Sequence, residues 1–459
     1  MSSVSAPQPA PSLEAASPLC PPESPWRHAW YPVAFLHDLD PARPTPFTLL
    51  GDDLVLWWDQ AAQEWRAFAD VCPHRLVPLS EGRLNASGQL ECPYHGWTFR
   101  GDGQCAAIPQ STAEIAAHPR ARCRAYATAT GQGLLFVFAG DPAEAEKVPL
   151  PLVPALEEPT APGQRPWVVQ DTFRDLPYDA VTLLENVLDV SHVPFTHHGT
   201  VGRRENAGPV ELQVLQSGVS GFTGLWEEGP RRGKLGSQST TFQAPCLMWH
   251  DLTAPRFARI LTVVYATPIR PGVCRVFARF PFQFRSPLPP LLLRLRPVWL
   301  QHLGNHVVLE DDQLFLHWQE RVLAQRGGGA NLSRACFLAS PADRYVLALH
   351  QWVNDHAGSP FPGHPLPERL DPETLMERYH SHTIHCRACS GALAGLQRWR
   401  PWLALIPWLA LLAVAWWRTP MALGVAIPVA VLGGVLGGQI HRWEILLRQG
   451  GGTPPRNRS

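Results

Sequence analysis

The chain has 459 residues, with 39 basic and 39 acidic side chains and a formal net charge of zero at pH 7. Without a broad positive field, nucleic-acid binding is disfavoured. Apolar residues make up 45% of the sequence, enough to bury large cores in about two or three domains. The ten cysteines do not form the dense framework of a small secreted disulfide domain, which favours a reducing compartment.

The first half of the chain is expected to contain a small β-domain between two irregular segments. Residues 1–25 are rich in Pro, Ser and Ala and lack the basic and apolar regions of a secretory signal, so we predict a disordered leader. Residues 26–140 contain short strand-like runs between turns, such as Leu54–Asp59 and Gly133–Phe138, which predict an antiparallel β-domain. Residues 141–166 are rich in Pro, Glu and Ala and predict a linker.

Residues 167–385 predict a second domain that mixes strands and helices. Strand-like runs such as Ile260–Tyr265 and Arg275–Phe280 occur together with helix-like runs near 180–190 and 302–325. This pattern is typical of the α+β class.

The C-terminal part contains two apolar runs that predict a transmembrane hairpin over residues 398–442, followed by a tail over 443–459. Pro401–Trp417 and Pro420–Ile440 contain no charged residue, and the second run reaches the ~20 residues that a spanning helix needs. The alternative is a buried hairpin of a soluble protein. Four arginines flank the hairpin (Arg398, Arg400, Arg442 and Arg448) and one lies in its turn (Arg418). This asymmetry places both ends and the catalytic domains on the cytoplasmic or stromal side.

A shorter apolar run, Pro289–Trp299, has two interpretations. It either lies on the bilayer surface or forms an exposed loop and the start of a helix.

The strongest motif consists of two boxes that each contain a cysteine and a histidine. Cys72-Pro-His74 is followed, after 17 residues, by Cys92-Pro-Tyr-His95. Two thiolates and two imidazoles form the ligand set of a Rieske [2Fe–2S] cluster, in which the thiolates hold one iron and the imidazoles hold the other. Zinc is the alternative, but zinc ribbons and fingers commonly place about two to four residues between paired cysteines. We therefore predict a Rieske cluster.

A second motif places two histidines close behind a carboxylate. Asp189 and His192 are three residues apart and would share one face of a helix. Pro194 would end that helix and leave His197 on the next turn. Two histidines and one carboxylate form the facial triad that holds non-haem Fe(II) and leaves positions open for dioxygen and substrate. We predict that His192 and His197 bind iron, with Asp312 as the third ligand and Asp311 as the alternative.

The pair Cys386 and Cys389 lies in segment 386–397, just before the first apolar run. Three interpretations remain open: a redox-sensitive dithiol, a metal site completed by one of the nearby histidines (His380, His382 and His385), or two inert thiols. We favour the dithiol, because a protonated histidine nearby lowers the pKa of a thiol. Such a pair would exchange with a thioredoxin-like protein in a reducing compartment.

Together with several shorter segments, these motifs resemble the Rieske non-haem iron oxygenases, and within them the pheophorbide a oxygenase group. The shorter segments are Trp30-Tyr-Pro-Val33, Leu54–Asp59, Ile108-Pro-Gln110, Phe173–Tyr178 and the Cys386/Cys389 pair before the apolar hairpin. The resemblance implies a Rieske β-domain joined to a helix-grip catalytic domain. It also implies a thylakoid, inner-envelope or cytoplasmic membrane location.

The same resemblance implies an assembly and a reaction. The assembly is a head-to-tail homotrimer, in which Asp189 bridges His192 to a Rieske histidine of the neighbouring subunit, expected to be His95. Asn186 would lie near the open side of the iron. The reaction is the oxygenation of a chlorophyll-derived macrocycle, and the motifs are shared by ring-opening and side-group-oxidising members.

No Gly-x-Gly-x-x-Gly segment follows a strand and opens a helix, so we predict electrons from reduced ferredoxin rather than from a bound flavin or nicotinamide. An alternative substrate is another chlorophyllide or protochlorophyllide-type pigment. A different class would be a redox-sensing or electron-carrying membrane component without oxygenase activity, such as a chloroplast import component. That class would not need His192, His197 and Asp312.

Overall fold

The computed structural model describes residues 19–450 apart from 161, 255, 256, 330, 331 and 418. Residues 1–18 of the predicted leader, residues 451–459 of the predicted tail and Arg418 of the predicted turn lie outside the described residues. Cys20 is fully buried and Leu19 packs against the same core, so packing begins before the predicted start at residue 26.

The N-terminal domain is built from antiparallel sheets, as the sequence predicted. Within the described ranges these sheets have the strand orders β1-β11-β10, β2-β3-β4-β9 and β5-β6-β7-β8. The strands are β1 Trp30–Phe35, β2 Thr45–Leu49, β3 Asp52–Asp59, β4 Glu64–Ala69, β5 Arg83–Leu84, β6 Leu90–Glu91, β7 Thr98–Phe99, β8 Cys105–Ala107, β9 Ala125–Tyr126, β10 Thr128–Gly131 and β11 Leu134–Phe138, with helix α1 Ala113–Ala116. The runs predicted as strands at Leu54–Asp59 and Gly133–Phe138 correspond to β3 and β11.

The segment predicted as a linker is packed onto this domain. It contains a 3-10 turn over Pro142–Lys147 and the short helix α2 over Pro154–Glu157. Val153 is fully buried, and its carbonyl accepts a hydrogen bond of 2.9 Å from the Gln132 side chain. Composition alone indicated a linker because prolines prevent long elements, but the apolar side chains between them still find a core.

The second domain is an antiparallel sheet with helices, which confirms the α+β class. Among the described residues the sheet has the order β12-β18-β17-β16-β15-β14-β13. The strands are β12 Val168–Leu176, β13 Gln213–Gly218, β14 Gly221–Trp226, β15 Gln238–Gln243, β16 Leu247–Leu252, β17 Phe257–Arg270 and β18 Val273–Phe284. The helices are α3 Ala180–Leu188, α4 Val193–Thr196, α5 Leu288–Leu295, α6 Val298–Gln325, α7 Leu332–Ala335, α8 Arg344–Trp352 and α9 Pro372–Leu375. The long helix α6 packs against β12 and α3.

One face of α6 is a buried row of polar side chains. They recur every three or four residues and are at most 6% exposed: His302, His306, Glu310, Gln313, His317 and Glu320. A buried polar group is costly without a partner, and five of these six side chains have one, whereas within the described residues both ring nitrogens of His306 have none. Glu310, for example, lies 2.7 Å from Arg174 Nη1 and 2.6 Å from Arg378 Nε.

The C-terminal part of the described chain contains two long apolar helices, α10 over Arg387–Trp417 and α11 over Pro420–Arg448. Among the described residues these are the helices long and apolar enough to cross a membrane, and only 6% and 11% of their most apolar windows are buried. The first helix includes Cys389, so most of the segment predicted over 386–397 continues into the hairpin.

The end of α11 is not a free tail. Leu447 is 1% exposed, and the carbonyl of Leu446 accepts a hydrogen bond of 2.9 Å from Arg378 Nη1. The base of the hairpin therefore belongs structurally to the catalytic domain.

Candidate metal centres

Two loops of the N-terminal domain carry the cysteine–histidine boxes with the same backbone pattern. In each loop the fourth residue after the cysteine donates its N–H to the cysteine carbonyl, Leu76 to Cys72 at 2.9 Å and Gly96 to Cys92 at 3.2 Å. The N–H of each cysteine donates to the carbonyl of the fifth residue after it, at 2.8 Å in both loops. Leu76 and Gly96 have φ values of 59° and 71°, and this left-handed conformation turns each loop back on itself.

These loops place the thiols inside and the imidazoles outside. Cys72 and Cys92 are 1% and 2% exposed, whereas His74 is exposed and His95 is half-buried. The two imidazole centroids lie 4.6 Å apart. Burial raises the pKa of the Cys72 thiol to about 11, so its thiolate form depends on a bound cation. Two inner thiols and two outer imidazoles fit a [2Fe–2S] cluster with mixed ligands.

In the second domain, His192, His197 and Asp312 meet at one point. The two Nε2 atoms are 3.2 Å apart, and the Asp312 carboxylate oxygens lie 3.3 Å from His197 Nε2 and 3.8 Å from His192 Nε2. Donor atoms about 2.1 Å from a metal and at right angles to one another are about 3 Å apart. The three side chains therefore fit a single metal ion.

The opposite nitrogens of both histidines have acceptor partners. His192 Nδ1 lies 2.5 Å from the Asp189 backbone oxygen, and His197 Nδ1 lies 3.3 Å from Asp311 Oδ2. Because both partners accept hydrogen bonds, each Nδ1 carries a proton and each Nε2 faces Asp312 as a possible ligand atom. Asp312 thus occupies the expected ligand position, whereas Asp311 lies behind His197.

The two carboxylates also determine the charge of His197. Burial lowers the pKa of this histidine, but hydrogen bonds with Asp311 and Asp312 raise it to about 9 overall. The pocket therefore stabilises a positive charge between two carboxylates, and a bound metal ion would replace the proton on Nε2.

The backbone around this motif differs from the prediction. Helix α3 ends at Leu188, Asp189 is extended (φ −78°, ψ 102°), and His192 precedes α4, where Pro194 lies in the first turn. The cause is local, since the Asp189 carboxylate accepts hydrogen bonds from the Ser191 N–H at 2.7 Å and hydroxyl at 2.6 Å. Such side-chain bonds compete with helix continuation.

The two residues predicted to assist the reaction lie on either side of this turn. Asn186 is half-buried on the last turn of α3. The Asp189 side chain is 31% exposed, and its Oδ2 lies 3.8 Å from His192 Nδ1. Asp189 therefore extends from the histidine cluster towards the surface.

A third cluster contains the predicted cysteine pair and one unexpected histidine. His302, His382, Cys386 and Cys389 place their donor atoms within 4.8 Å of one another. His382 was among the predicted neighbours, while His380 and His385 are exposed. His302 comes from α6 and was missed. Its only signal in the sequence is that His302 and His306 are spaced to share one helix face ahead of the acidic run.

Comparison with known proteins places these clusters in a family. A model of the Rieske [2Fe-2S] domain matches residues 29–124, and a model named pheophorbide a oxygenase matches residues 242–330, which extend from β15 through α6.

Two curated relatives match most of the chain. Pheophorbide a oxygenase, chloroplastic, of Arabidopsis thaliana is 36% identical over 405 residues, covering 81% of this chain and 73% of that protein. Flavonoid 8-hydroxylase 2, chloroplastic, of Ocimum basilicum is 29% identical over 422 residues, covering 81% of this chain and 77% of that protein.

The fold has relatives among solved structures. Dicamba monooxygenase bound to dicamba is 22% identical with a TM-score of 0.53, and the match covers 72% of this chain and 98% of that one. At this identity the comparison establishes the fold, a Rieske β-domain with a helix-grip catalytic domain. The chain belongs to the pheophorbide a oxygenase family, and it is a Rieske oxygenase that uses a [2Fe–2S] cluster, a mononuclear iron and electrons from a ferredoxin-type donor.

Proposed function

We propose that this enzyme oxygenates a chlorophyll-derived macrocycle, in the manner of a pheophorbide a oxygenase. The observation that carries the proposal is the 36% identity to the Arabidopsis protein of that name over 405 residues. That alignment spans most of the chain, beyond what the metal motifs alone would explain. Another chlorophyllide or protochlorophyllide-type pigment is the alternative substrate.

In this proposal Cys72, Cys92, His74 and His95 hold the cluster, and His192, His197 and Asp312 hold the mononuclear iron. The bound metals supply electron transfer and dioxygen activation. The protein orients the ligands: the Asp189 carbonyl fixes the His192 ring, and Asp311 fixes the His197 ring. A pure electron carrier would need only the first set, so the convergent second set supports an oxygenase.

We also propose a head-to-tail homotrimer. The exposed imidazole end of the β-domain carries the exposed apolar side chains of Leu76 (74%) and Tyr94 (57%). Beside the His192 cluster, Phe195 and Val201 are 55% and 53% exposed. Two different apolar patches on one chain suit a heterologous interface that closes into a ring. Asp189, at the mouth of the second patch, would then face His95 of the next subunit.

The hairpin is proposed to anchor the enzyme in a membrane, with the catalytic domains on the cytoplasmic or stromal side. Both helices expose apolar side chains along their length, which water would disfavour. Helix α5 exposes four leucines: Leu288, Leu291, Leu292 and Leu295. Trp299, just after α5, packs on Trp443 of the hairpin with ring centroids 5.3 Å apart. Helix α5 is thus close enough to the hairpin base to lie on the bilayer surface.

A thioredoxin-like partner for Cys386 and Cys389 is a further candidate. Because these residues are 0% and 1% exposed, exchange would require the first turn of α10 to open. A metal ion bound by the two thiols in the purified full chain would contradict this candidate.

The substrate proposal predicts oxygen-dependent turnover of a pigment. The purified full chain, supplied with reduced ferredoxin and separately with pheophorbide a, chlorophyllide a and protochlorophyllide, should give an oxygenated product by mass with at least one of them, and we expect pheophorbide a to react fastest. His192→Ala is the matched control and should give none. Hydroxylation of a flavonoid, with all three pigments unchanged, would contradict the proposal.

The ligand assignment predicts different effects for two adjacent carboxylates. Asp312→Ala should lose mononuclear iron, because it removes a ligand atom, while the Rieske electron paramagnetic resonance signal remains. Asp311→Asn keeps all three ligand side chains and changes the carboxylate that accepts from His197 Nδ1 and from the Thr200 hydroxyl, so iron affinity should fall by about 10–100-fold without disappearing. The iron content of each variant, measured after titration with Fe(II), checks both predictions. Unchanged iron in Asp312→Ala, with iron lost in Asp311→Asn, would reverse the assignment.

The trimer predicts complementation between two inactive variants. His95→Cys replaces an imidazole by a thiolate and lowers the potential of the cluster, whereas His192→Ala lacks the mononuclear iron. Co-expressed with different tags, they should form mixed trimers with about a quarter of wild-type turnover, since each intersubunit junction needs one intact site from each neighbour. Inactive mixed assemblies that carry both tags would show that the two sites do not cooperate between subunits.

The membrane proposal predicts behaviour that does not depend on activity. The full chain should stay with membranes after an alkaline wash, and protease should digest the catalytic domains only from the side that bears the flanking arginines. Release by the wash, or digestion from the opposite side, would contradict it. The whole chain is needed, because truncation would remove Leu447 from the core.

A further inference from the structure

The buried cysteine pair lies where three separate parts of the chain meet. His302 comes from α6, His382 from the turn over Tyr379–Thr383, and Cys386 and Cys389 from the start of α10. All four side chains are at most 3% exposed, and their donor atoms lie within 4.8 Å of one another. This cluster is separate from both centres of the proposed reaction.

We propose that His302, His382, Cys386 and Cys389 bind one structural zinc ion that joins the membrane hairpin to the catalytic helix α6. The donor set, two thiolates and two imidazoles, is that of closed tetrahedral zinc sites. Four protein ligands leave no position for substrate, so the site holds the structure together and takes no part in oxygenation.

The spacing of the donor atoms fits tetrahedral coordination. Ligand atoms at the usual Zn–S and Zn–N distances are about 3.6 Å apart along a tetrahedral edge. In the structure, His302 Nδ1 lies 3.5 Å from Cys386 Sγ and 3.4 Å from Cys389 Sγ. His382 Nε2 lies 3.3 Å from Cys389 Sγ. These three sulfur–nitrogen distances are within a few tenths of an ångström of such an edge, and all four donor atoms lie within 4.8 Å of one another.

The orientation of His382 is also that of a ligand. Its Nδ1 lies 2.7 Å from the carbonyl oxygen of Phe173, which only accepts, so Nδ1 carries the proton. Nε2 then presents a lone pair towards the sulfurs. A backbone carbonyl behind the imidazole is the usual outer partner of a zinc-bound histidine.

Charge and access favour a metal over a dithiol switch. A divalent cation with two thiolates and two neutral imidazoles is neutral overall, as a fully buried site requires. A dithiol that exchanges with a protein partner needs an accessible sulfur, but Cys386 is 0% and Cys389 is 1% exposed.

The first test is the metal content of the full chain purified in detergent without added zinc. Elemental analysis should find about one zinc per chain in addition to iron. Cys386→Ser/Cys389→Ser and His302→Gln should reduce zinc to background while the Rieske signal remains. His380→Gln changes an exposed histidine of the same turn and should keep the zinc. Because these readings need no turnover, they are independent of the substrate.

A second measurement covers the case in which the cysteine variants do not fold. Unfolded wild-type protein, treated with a thiol-blocking mercurial beside a zinc indicator dye, should release about one zinc per chain. Protein that carries both iron centres but no zinc would overturn the proposal. So would iron in place of zinc in this cluster, or a Cys386–Cys389 disulfide that thioredoxin reduces in metal-free protein. The last result would establish the dithiol switch instead.

Discussion

The catalytic domain depends on the buried carboxylate of Glu310 and its two arginines. Arg174 comes from β12, Arg378 precedes the turn that carries His382, and all three side chains are at most 2% exposed. Removing one partner from such a buried group leaves a charge unpaired and typically costs about 3–5 kcal/mol. The interaction therefore fixes the rotation of α6 against the sheet. Since Asp311 and Asp312 follow directly in the sequence, it also fixes the direction of both carboxylates.

Helix α6 also connects two side-chain clusters whose other members lie far apart in the sequence. Towards its start, His302 faces the cysteines at the hairpin base, and in its middle Asp312 faces His192 and His197. Arg378 connects the two regions, because it pairs with Glu310 and donates to the carbonyl of Leu446 near the end of α11. In the proposed membrane orientation, a hairpin attached in this way would hold α6 in a defined position relative to the bilayer. For the proposed pigment substrate, which is apolar, that arrangement would bring the active site close to the phase in which the substrate dissolves.

The predictions from the sequence were best for motifs whose residues lie close together along the chain. The Cys72 and Cys92 boxes could be proposed as a cluster site because each cysteine and its histidine lie two or three residues apart on a tight loop. The histidine pair was identified for the same reason, but its backbone was predicted wrongly: the Asp189 carboxylate bonds to Ser191 and ends the helix that spacing alone suggested. Asp312 could be chosen only as one carboxylate of an acidic run, and it is the rotation of α6 that separates it from Asp311.

Contacts that depend on long-range packing could not be predicted from the sequence. His302 lies 84 residues before Cys386, and only the docking of α10 on α6 brings them together. Composition likewise indicated a linker over 141–166, although Val153 is buried in the core. The central claim is that α6 carries ligands of two different metal centres, His302 towards its start and Asp312 in its middle. Anomalous diffraction at the iron and zinc edges, from crystals of the full chain, tests it most directly. The account predicts a zinc peak at His302 and an iron peak at Asp312, about 15 Å apart along the helix; a single metal peak on α6 would contradict it.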